Sequence, residues 1–154
     1  MGHTAQHTTA RVPRDQFLAI NSKTELNPAS CACVLIIDDE DLFRSMLKNM
    51  LETEGYDVLE ASDGGQGVQI FGETHPDLVI TDIVMPDQEG IQTILEIRQK
   101  DNRVPIIAVS GGGQLGSTDY LVAAEALGAI RTFSKPFERE EMISAIREVL
   151  NAHS

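Results

Sequence analysis

The stretch Val34-Leu35-Ile36-Ile37-Asp38-Asp39 decides the fold class of this chain. A short apolar run that is rich in β-branched residues and ends in acids predicts a strand buried on both faces of a parallel sheet. Beyond it, apolar residues recur at helical spacing, at Leu42, Phe43, Met46, Leu47, Met50 and Leu51. They predict one amphipathic helix that stops at Gly55. The segment therefore indicates a strand followed by a helix.

The same alternation of strand and helix repeats along the rest of the chain. The further predicted strands cover residues 57–61, 78–81, 105–110 and 129–133. The further predicted helices cover residues 64–72, 91–97, 120–127 and 142–150. Parallel strands need right-handed crossovers, so the connecting helices cover both faces of the sheet. The sequence predicts an α/β fold with a doubly wound, five-stranded parallel sheet.

Length and charge bound the functions that this chain can have. With 154 residues, of which 42% are hydrophobic, it can fill the core of one domain. Residues 1–30 show no sustained periodicity, so we expect a flexible N-terminal tail there and one folded domain over residues 31–154. A net charge of -12 argues against direct nucleic-acid binding. The chain shows neither a bilayer-spanning apolar run nor a signal peptide, so we expect no membrane insertion and a cytoplasmic location.

Charged and polar side chains stand where the predicted strands end. Asp38 and Asp39 follow the first strand, Asp82 the third, Ser110 the fourth and Lys135 the fifth. Because the carboxyl ends of parallel strands share one edge of the sheet, we expect these groups to converge. Three close carboxylates repel one another unless a cation neutralises them, and Mg²⁺ prefers carboxylate, water and phosphate oxygens. A lysine and a hydroxyl beside such a metal suit phosphoryl transfer, in which a carboxylate can be the acceptor.

Each of these residues also has a purely structural interpretation. Asp38 or Asp39 would make a good N-cap for the helix that follows. Asp82 would suit a turn, and Ser110, which precedes three glycines, would suit a loop. Lys135 taken alone would be a surface charge. It is the combination at successive strand ends that favours a functional site.

The same residues and their neighbours carry a family resemblance. The pieces are Asp38-Asp39, Asp82-Ile83-Val84-Met85-Pro86-Asp87-Gln88-Glu89-Gly90, Ser110, Leu127-Gly128-Ala129 and Lys135-Pro136-Phe137. Each piece alone is common, but their order at the strand ends is specific. Over about residues 33–151 the chain resembles the receiver domain of bacterial two-component response regulators. The resemblance implies a flavodoxin-like (βα)5 fold with strand order 2-1-3-4-5.

The resemblance also implies a metal site around the phosphoacceptor. Asp82 would be the phosphoacceptor and one of the groups around Mg²⁺. Asp39 would ligate Mg²⁺ directly, and Asp38 would help mainly through water. The backbone carbonyl of Val84 would complete the metal site.

The implied phosphoryl contacts come from the fourth and fifth strands. Ser110 would hydrogen-bond the phosphoryl group, and Lys135 would pair with it. The Lys135-Pro136 peptide is expected to be cis, a geometry that has a low free-energy cost only when the second residue is proline.

The implied function is that of a phosphoacceptor in two-component signalling. The donor would be a histidine kinase or a histidine phosphotransfer protein, and phosphorylation would switch binding to a downstream target protein. The face made by the last two helices and the strand between them is a candidate surface for partners or a homodimer. The chain would be no enzyme beyond its own phosphorylation and dephosphorylation, and either a stand-alone receiver or part of a longer regulator.

Two other functions compete with this one. A phosphorylation-independent interaction module would keep the receiver shape without its chemistry. A phosphohydrolase with an aspartyl nucleophile usually places a second acid two residues later, where this chain has Val84.

Some positions depart from the family pattern. Thr132 stands where receivers carry an aromatic switch residue, and Phe133 next to it is expected to be core. If the domain switches, we expect motion of the glycine-rich residues 111–118 to replace that relay. Val84 and Gly112 offer no side-chain hydrogen bond to a hydrolytic water, so we expect slow or ordinary dephosphorylation.

Overall fold

The fold is known from a computed structural model that describes residues 32–85, 89–111 and 117–153. The strands are β1 (Cys33–Ile37), β2 (Asp57–Ala61), β3 (Leu78–Asp82), β4 (Ile106–Ser110) and β5 (Arg131–Ser134). The helices are α1 (Asp41–Thr53), α2 (Gly64–Thr74), α3 (Glu89–Lys100), α4 (Ser117–Ala126) and α5 (Arg139–Ala152). The expected tail over residues 1–30 lies outside the described residues.

All five strands pair in parallel in the order β2-β1-β3-β4-β5. This confirms the predicted sheet and its strand order. The register places Ile37 of β1 beside Thr81 of β3, and Asp82 of β3 beside Val109 of β4. At the end of the ladder, Ser110 of β4 lies beside Ser134 of β5. The carboxyl ends of four adjacent strands therefore form one continuous edge of the sheet.

Apolar side chains fill both faces of the sheet. In β1, Val34 and Ile36 belong to one core cluster, which α1 and α5 complete through residues such as Leu47 and Ile146. Leu35 and Ile37 point into a second cluster, whose other members include Phe71, Ile94, Ile97 and Ala124 from α2, α3 and α4. As predicted, β1 is therefore buried on both of its faces.

The element ends differ from the predictions by a few residues. The fourth helix begins at Ser117, three residues before the predicted start, and β5 begins at Arg131 rather than at residue 129. Ala129 still donates its N–H to the carbonyl of Ala124, so the chain is leaving the helix at that point. The predicted glycine stops are confirmed, because Gly55 (φ 97°) and Gly128 (φ 105°) both adopt positive φ.

A helix that spans a membrane must be both long and apolar. None of the helices in residues 32–85, 89–111 and 117–153 is both long and apolar enough to cross a bilayer.

Candidate phosphoryl and metal site

Three carboxylates meet at the edge where the strands end. Asp38 follows β1 and is 1% exposed, Asp82 closes β3 and is 5% exposed, and Asp39 is exposed. One oxygen from each of the three lies within 4.8 Å of the others. The predicted convergence of these acids is confirmed. An all-oxygen set of this kind fits a hard divalent cation.

Lys135 is the cation that neutralises this cluster among the described residues. Its Nζ donates to Asp38 Oδ2 at 2.9 Å and to Asp82 Oδ2 at 3.2 Å. Burial lowers the pKa of Lys135, but the hydrogen bonds and charges of Asp38 and Asp82 outweigh burial and raise it. Lys135 is held in place by its own N–H, which donates to the carbonyl of Ser110 at 2.8 Å. The Lys135-Pro136 peptide is cis, as predicted.

Asp82 is oriented by two donors and remains costly to ionise. The Val84 N–H donates to Asp82 Oδ1 at 3.2 Å, while Lys135 holds the other oxygen. Burial, followed by the charge of Asp38, raises the pKa of Asp82 to about 6, although Lys135 and the Val84 N–H oppose that rise. The carboxylate is therefore mostly ionised at neutral pH, yet its charge is only partly compensated. Such a group gains from a bound cation.

Ser110 places a hydroxyl at the same edge. Its side chain is 0% exposed, and its Oγ makes no hydrogen bond with any described residue. A buried polar group without a partner costs folding free energy, so native proteins rarely keep one without a ligand or a function. The Ser110 hydroxyl could therefore donate to a ligand bound at the strand ends.

Ser110→Ala should leave the free energy of unfolding unchanged or raise it by about 1 kcal/mol, because the variant deletes a buried hydroxyl that pairs with nothing in the described protein. Thr81→Val is the matched control, since the Thr81 hydroxyl is also fully buried but donates to the Asp82 carbonyl at 3.0 Å. That variant should lose about 1 kcal/mol. Urea denaturation of both proteins measures the difference, and an equal loss in the two would contradict the interpretation of Ser110.

The capping interpretation of the acid pair is wrong. The N-cap of α1 is Glu40, and it makes no side-chain capping bond. Asp38 instead accepts the Glu40 N–H at 2.8 Å through Oδ1. This contact uses one oxygen to order the turn and leaves the other for Lys135. The pair therefore belongs to the site rather than to the helix end.

Two further residues of the site escaped the sequence analysis. Glu40 Oε1 lies 3.4 Å from the Lys135 ammonium. Arg44 donates from Nη1 to the Asp38 carbonyl at 2.7 Å and from Nε to Glu60 at 3.2 Å, so it braces the chain beside the acid pair. Glu40 could have been suspected because it directly follows two acids. Nothing in the sequence other than its charge indicated that Arg44 belongs to the site.

The structure describes three of the four positions that the sequence analysis discussed as departures from the family pattern or next to one. Thr132 is half-buried on β5, and its hydroxyl lies 3.5 Å from a Glu125 carboxylate oxygen. Phe133 packs against the first core cluster, as expected. The Val84 side chain is 38% exposed. Gly112 and most of the loop over residues 111–118 lie outside the described residues, so the proposed loop motion stays a prediction, as does the Val84 carbonyl ligand.

Known proteins resemble this chain along its folded part. The response regulator receiver domain matches residues 34–147. The chemotaxis protein CheY of Bacillus subtilis is 38% identical over 119 residues, which cover 77% of this chain and 97% of that protein. Sporulation initiation phosphotransferase F of the same species is 31% identical over 117 residues, covering 76% and 92%.

A solved structure is also similar to this chain. The structure of a response regulator receiver domain protein from Clostridium thermocellum superposes with a TM-score of 0.73 at 32% identity. The match covers 79% of this chain and 95% of that one. The sheet order, the acid cluster with its lysine and these matches together show that the chain belongs to the family of response regulator receiver domains.

Proposed function

We propose that this receiver domain accepts a phosphoryl group on Asp82, with Mg²⁺, from a phosphohistidine of a histidine kinase or phosphotransfer protein. The observation that carries the proposal is the buried Asp82 carboxylate, which lies beside two further acids and a lysine. At the same edge of the sheet, the Ser110 hydroxyl has no hydrogen-bond partner within the described part of the chain. Phosphorylation would then switch contacts with a downstream target protein. The domain would work in the cytoplasm and catalyse only its own phosphorylation and dephosphorylation.

The proposed step is a displacement at phosphorus. An Asp82 oxygen forms the new O–P bond while the N–P bond to the donor imidazole breaks, and the imidazole nitrogen keeps the electron pair and takes up a proton. Lys135 moves one N–H from the carboxylates to a phosphoryl oxygen, and Ser110 donates its unused hydroxyl proton to another. Asp38, Asp39, Asp82 and the Val84 carbonyl would hold Mg²⁺, which supplies positive charge for the phosphoryl oxygens.

A groove next to the site supports a protein donor. It has a volume of about 530 Å³, and Lys135, Phe43 and Met46 are among the residues that line it. Leu42 on the same helix is 83% exposed, and Met46 is 45% exposed. Exposed apolar side chains beside a reactive carboxylate suit the apolar surface of a protein that delivers its own phosphohistidine.

Intact mass spectrometry tests the proposal. After incubation with Mg²⁺ and acetyl phosphate, the wild-type protein should gain one phosphoryl group, and Asp82→Asn should gain none. Chelation of Mg²⁺ should suppress the adduct, because the phosphoryl oxygens then lack their metal partner. Asp57→Asn, a change at an exposed acid at the start of β2, is the matched control and should phosphorylate normally.

Thr132 favours one second candidate, a phosphorylation-independent interaction module. The usual aromatic relay position holds a small side chain that contacts a surface glutamate. Under this alternative the wild-type protein binds Mg²⁺ but shows no phosphoryl adduct, and it captures its partner unmodified. Absence of the adduct from a protein that still binds Mg²⁺ would overturn the phosphoacceptor proposal.

A further inference from the structure

Phe43 lies against the ammonium of Lys135. The Lys135 Nζ is 3.8 Å from the centre of the Phe43 ring, well inside the range of a cation–π contact. We propose that Phe43 is a positioning residue whose ring holds the Lys135 ammonium on the Asp82 side of the site. This inference rests on the proposed function and adds to it a residue that acts through Lys135.

The polar partners of Lys135 pull its ammonium in different directions. Asp38 and Asp82 are buried partners at 2.9 and 3.2 Å, whereas Glu40, at 3.4 Å, has a side chain that is 62% exposed. Attraction to Glu40 therefore draws the ammonium toward the rim of the site. A lysine side chain is flexible enough to follow either pull. The aromatic face of Phe43 stabilises the position in which the ammonium lies over the ring.

The Phe43 ring is itself held by other rings. It meets Phe137 edge to face, with centroids 5.7 Å apart and planes at 89°. Phe137 in turn packs at 5.6 Å against Phe133 of β5. Contacts of this kind favour one relative orientation of the rings. Because Phe43 belongs to α1 and Phe137 follows Pro136, the row of rings ties the helix to the segment that carries Lys135.

Loss of the ring should slow phosphoryl transfer without abolishing it. In Phe43→Leu an apolar side chain still packs against Phe137, but the aromatic face under the ammonium is gone. Lys135 then spends less time directed at Asp82. From the strength of partly desolvated cation–π contacts, we expect the phosphorylation rate to fall about three- to tenfold.

The test compares Phe43→Leu with Phe43→Tyr in two experiments. By NMR on the unmodified protein, the ε-methylene protons of Lys135 should be shifted upfield by the ring current in the wild type and in Phe43→Tyr, but not in Phe43→Leu. By intact mass with Mg²⁺ and acetyl phosphate, Phe43→Leu should phosphorylate more slowly, while Phe43→Tyr should keep the wild-type rate. Leu95→Met, a change at an exposed apolar residue of α3 that does not line this groove, is the control and should alter neither result.

Three results would overturn the inference. The first is a Lys135 signal without an upfield shift in the wild type. The second is a folded Phe43→Leu protein with the wild-type phosphorylation rate, since a merely structural role would lower only its unfolding midpoint. The third is a shifted Lys135 signal in a wild-type protein that takes up no phosphoryl group. That outcome confirms the contact but refutes both the proposed function and the role in transfer, so the two failures are distinguishable.

Discussion

Asp82→Asn is expected to stabilise the metal-free protein by up to about 3 kcal/mol at neutral pH. Asp82 is 5% exposed. Burial and the charge of Asp38 raise its pKa from 3.8 to about 6, against the opposing effect of Lys135. The folded state therefore holds the Asp82 proton more tightly than the unfolded state does, and ionisation of Asp82 costs folding free energy. Asparagine keeps the shape of the side chain and removes that cost, but its amide nitrogen cannot accept the hydrogen bond that one carboxylate oxygen accepts from Val84 or Lys135, so about 3 kcal/mol is an upper limit.

The stabilisation of Asp82→Asn over the wild type should grow as the pH rises. A carboxyl whose pKa is raised by folding contributes its full stabilisation below the unfolded value of 3.8, and loses it as the pH rises through about 6. The difference in free energy of unfolding between Asp82→Asn and the wild type should thus be small near pH ~4, widen up to pH ~6 and level off above pH ~7. Urea denaturation in the presence of EDTA across this range measures it.

Two controls separate this effect from a general response to lost charge. Asp57→Asn removes an exposed acid and should not change the free energy of unfolding over the same pH range. Added Mg²⁺ should narrow the gap, because it binds the folded wild-type carboxylates and stabilises that protein by mass action. An Asp82→Asn protein that is less stable than the wild type at neutral pH in EDTA would contradict the description of the site as electrostatically strained.

Gly90→Ala is expected to lower the free energy of unfolding by about 2–4 kcal/mol. Gly90 is buried in the first turn of α3. A Cβ there would lie 2.5 Å from the Asp82 carbonyl oxygen and closer still to the Cα and carbonyl oxygen of Ile83. These are backbone atoms, which cannot turn aside as a flexible side chain can, so α3 and the end of β3 must move apart.

The displaced backbone includes the residue that carries the proposed chemistry. The Ile83 N–H donates to the Val109 carbonyl at 2.8 Å, which anchors the chain just after Asp82. Gly90→Ala should therefore also slow phosphorylation by acetyl phosphate in the fraction that remains folded. Chemical denaturation and intact mass measure the two effects.

Gly65 provides the matched control for this prediction. It too is the second residue of its helix, but it is exposed, and a Cβ there would meet only Asp63 Oδ1 at 3.5 Å. Gly65→Ala should be neutral or stabilising by up to about 1 kcal/mol, because alanine is the better helix former. If the two alanine variants lose the same stability, the close approach at Gly90 does not explain the effect.

Local patterns predicted most of the fold and part of the site. The apolar run before Asp38 predicted β1, and helical spacing predicted α1, because strand and helix periods are properties of neighbouring residues. The rule that parallel strands share a carboxyl edge then predicted that Asp38, Asp39 and Asp82 would converge. The structure confirms each of these predictions.

The residues that escaped prediction act across long stretches of sequence. Glu40 and Lys135 are 95 positions apart, and their contact depends on how β1 and β5 lie along the same edge of the sheet. Phe43 was expected only as an apolar helix residue, since nothing in the sequence places a lysine over its ring. Arg44 reaches the Asp38 carbonyl because α1 packs beside the end of β1.

The sequence by itself determined which chemical groups stand at the strand ends and which family the chain resembles, because these follow from local periodicity and an ordered set of motifs. The strand order was implied by that resemblance. Only the tertiary structure decided how those groups behave. It buries Asp82 beside Asp38 and raises its pKa to about 6, and it leaves the Ser110 hydroxyl without a partner among the described residues. It also sets the Phe43 ring under Lys135. Burial and distance control these properties, and both arise only when distant segments pack together.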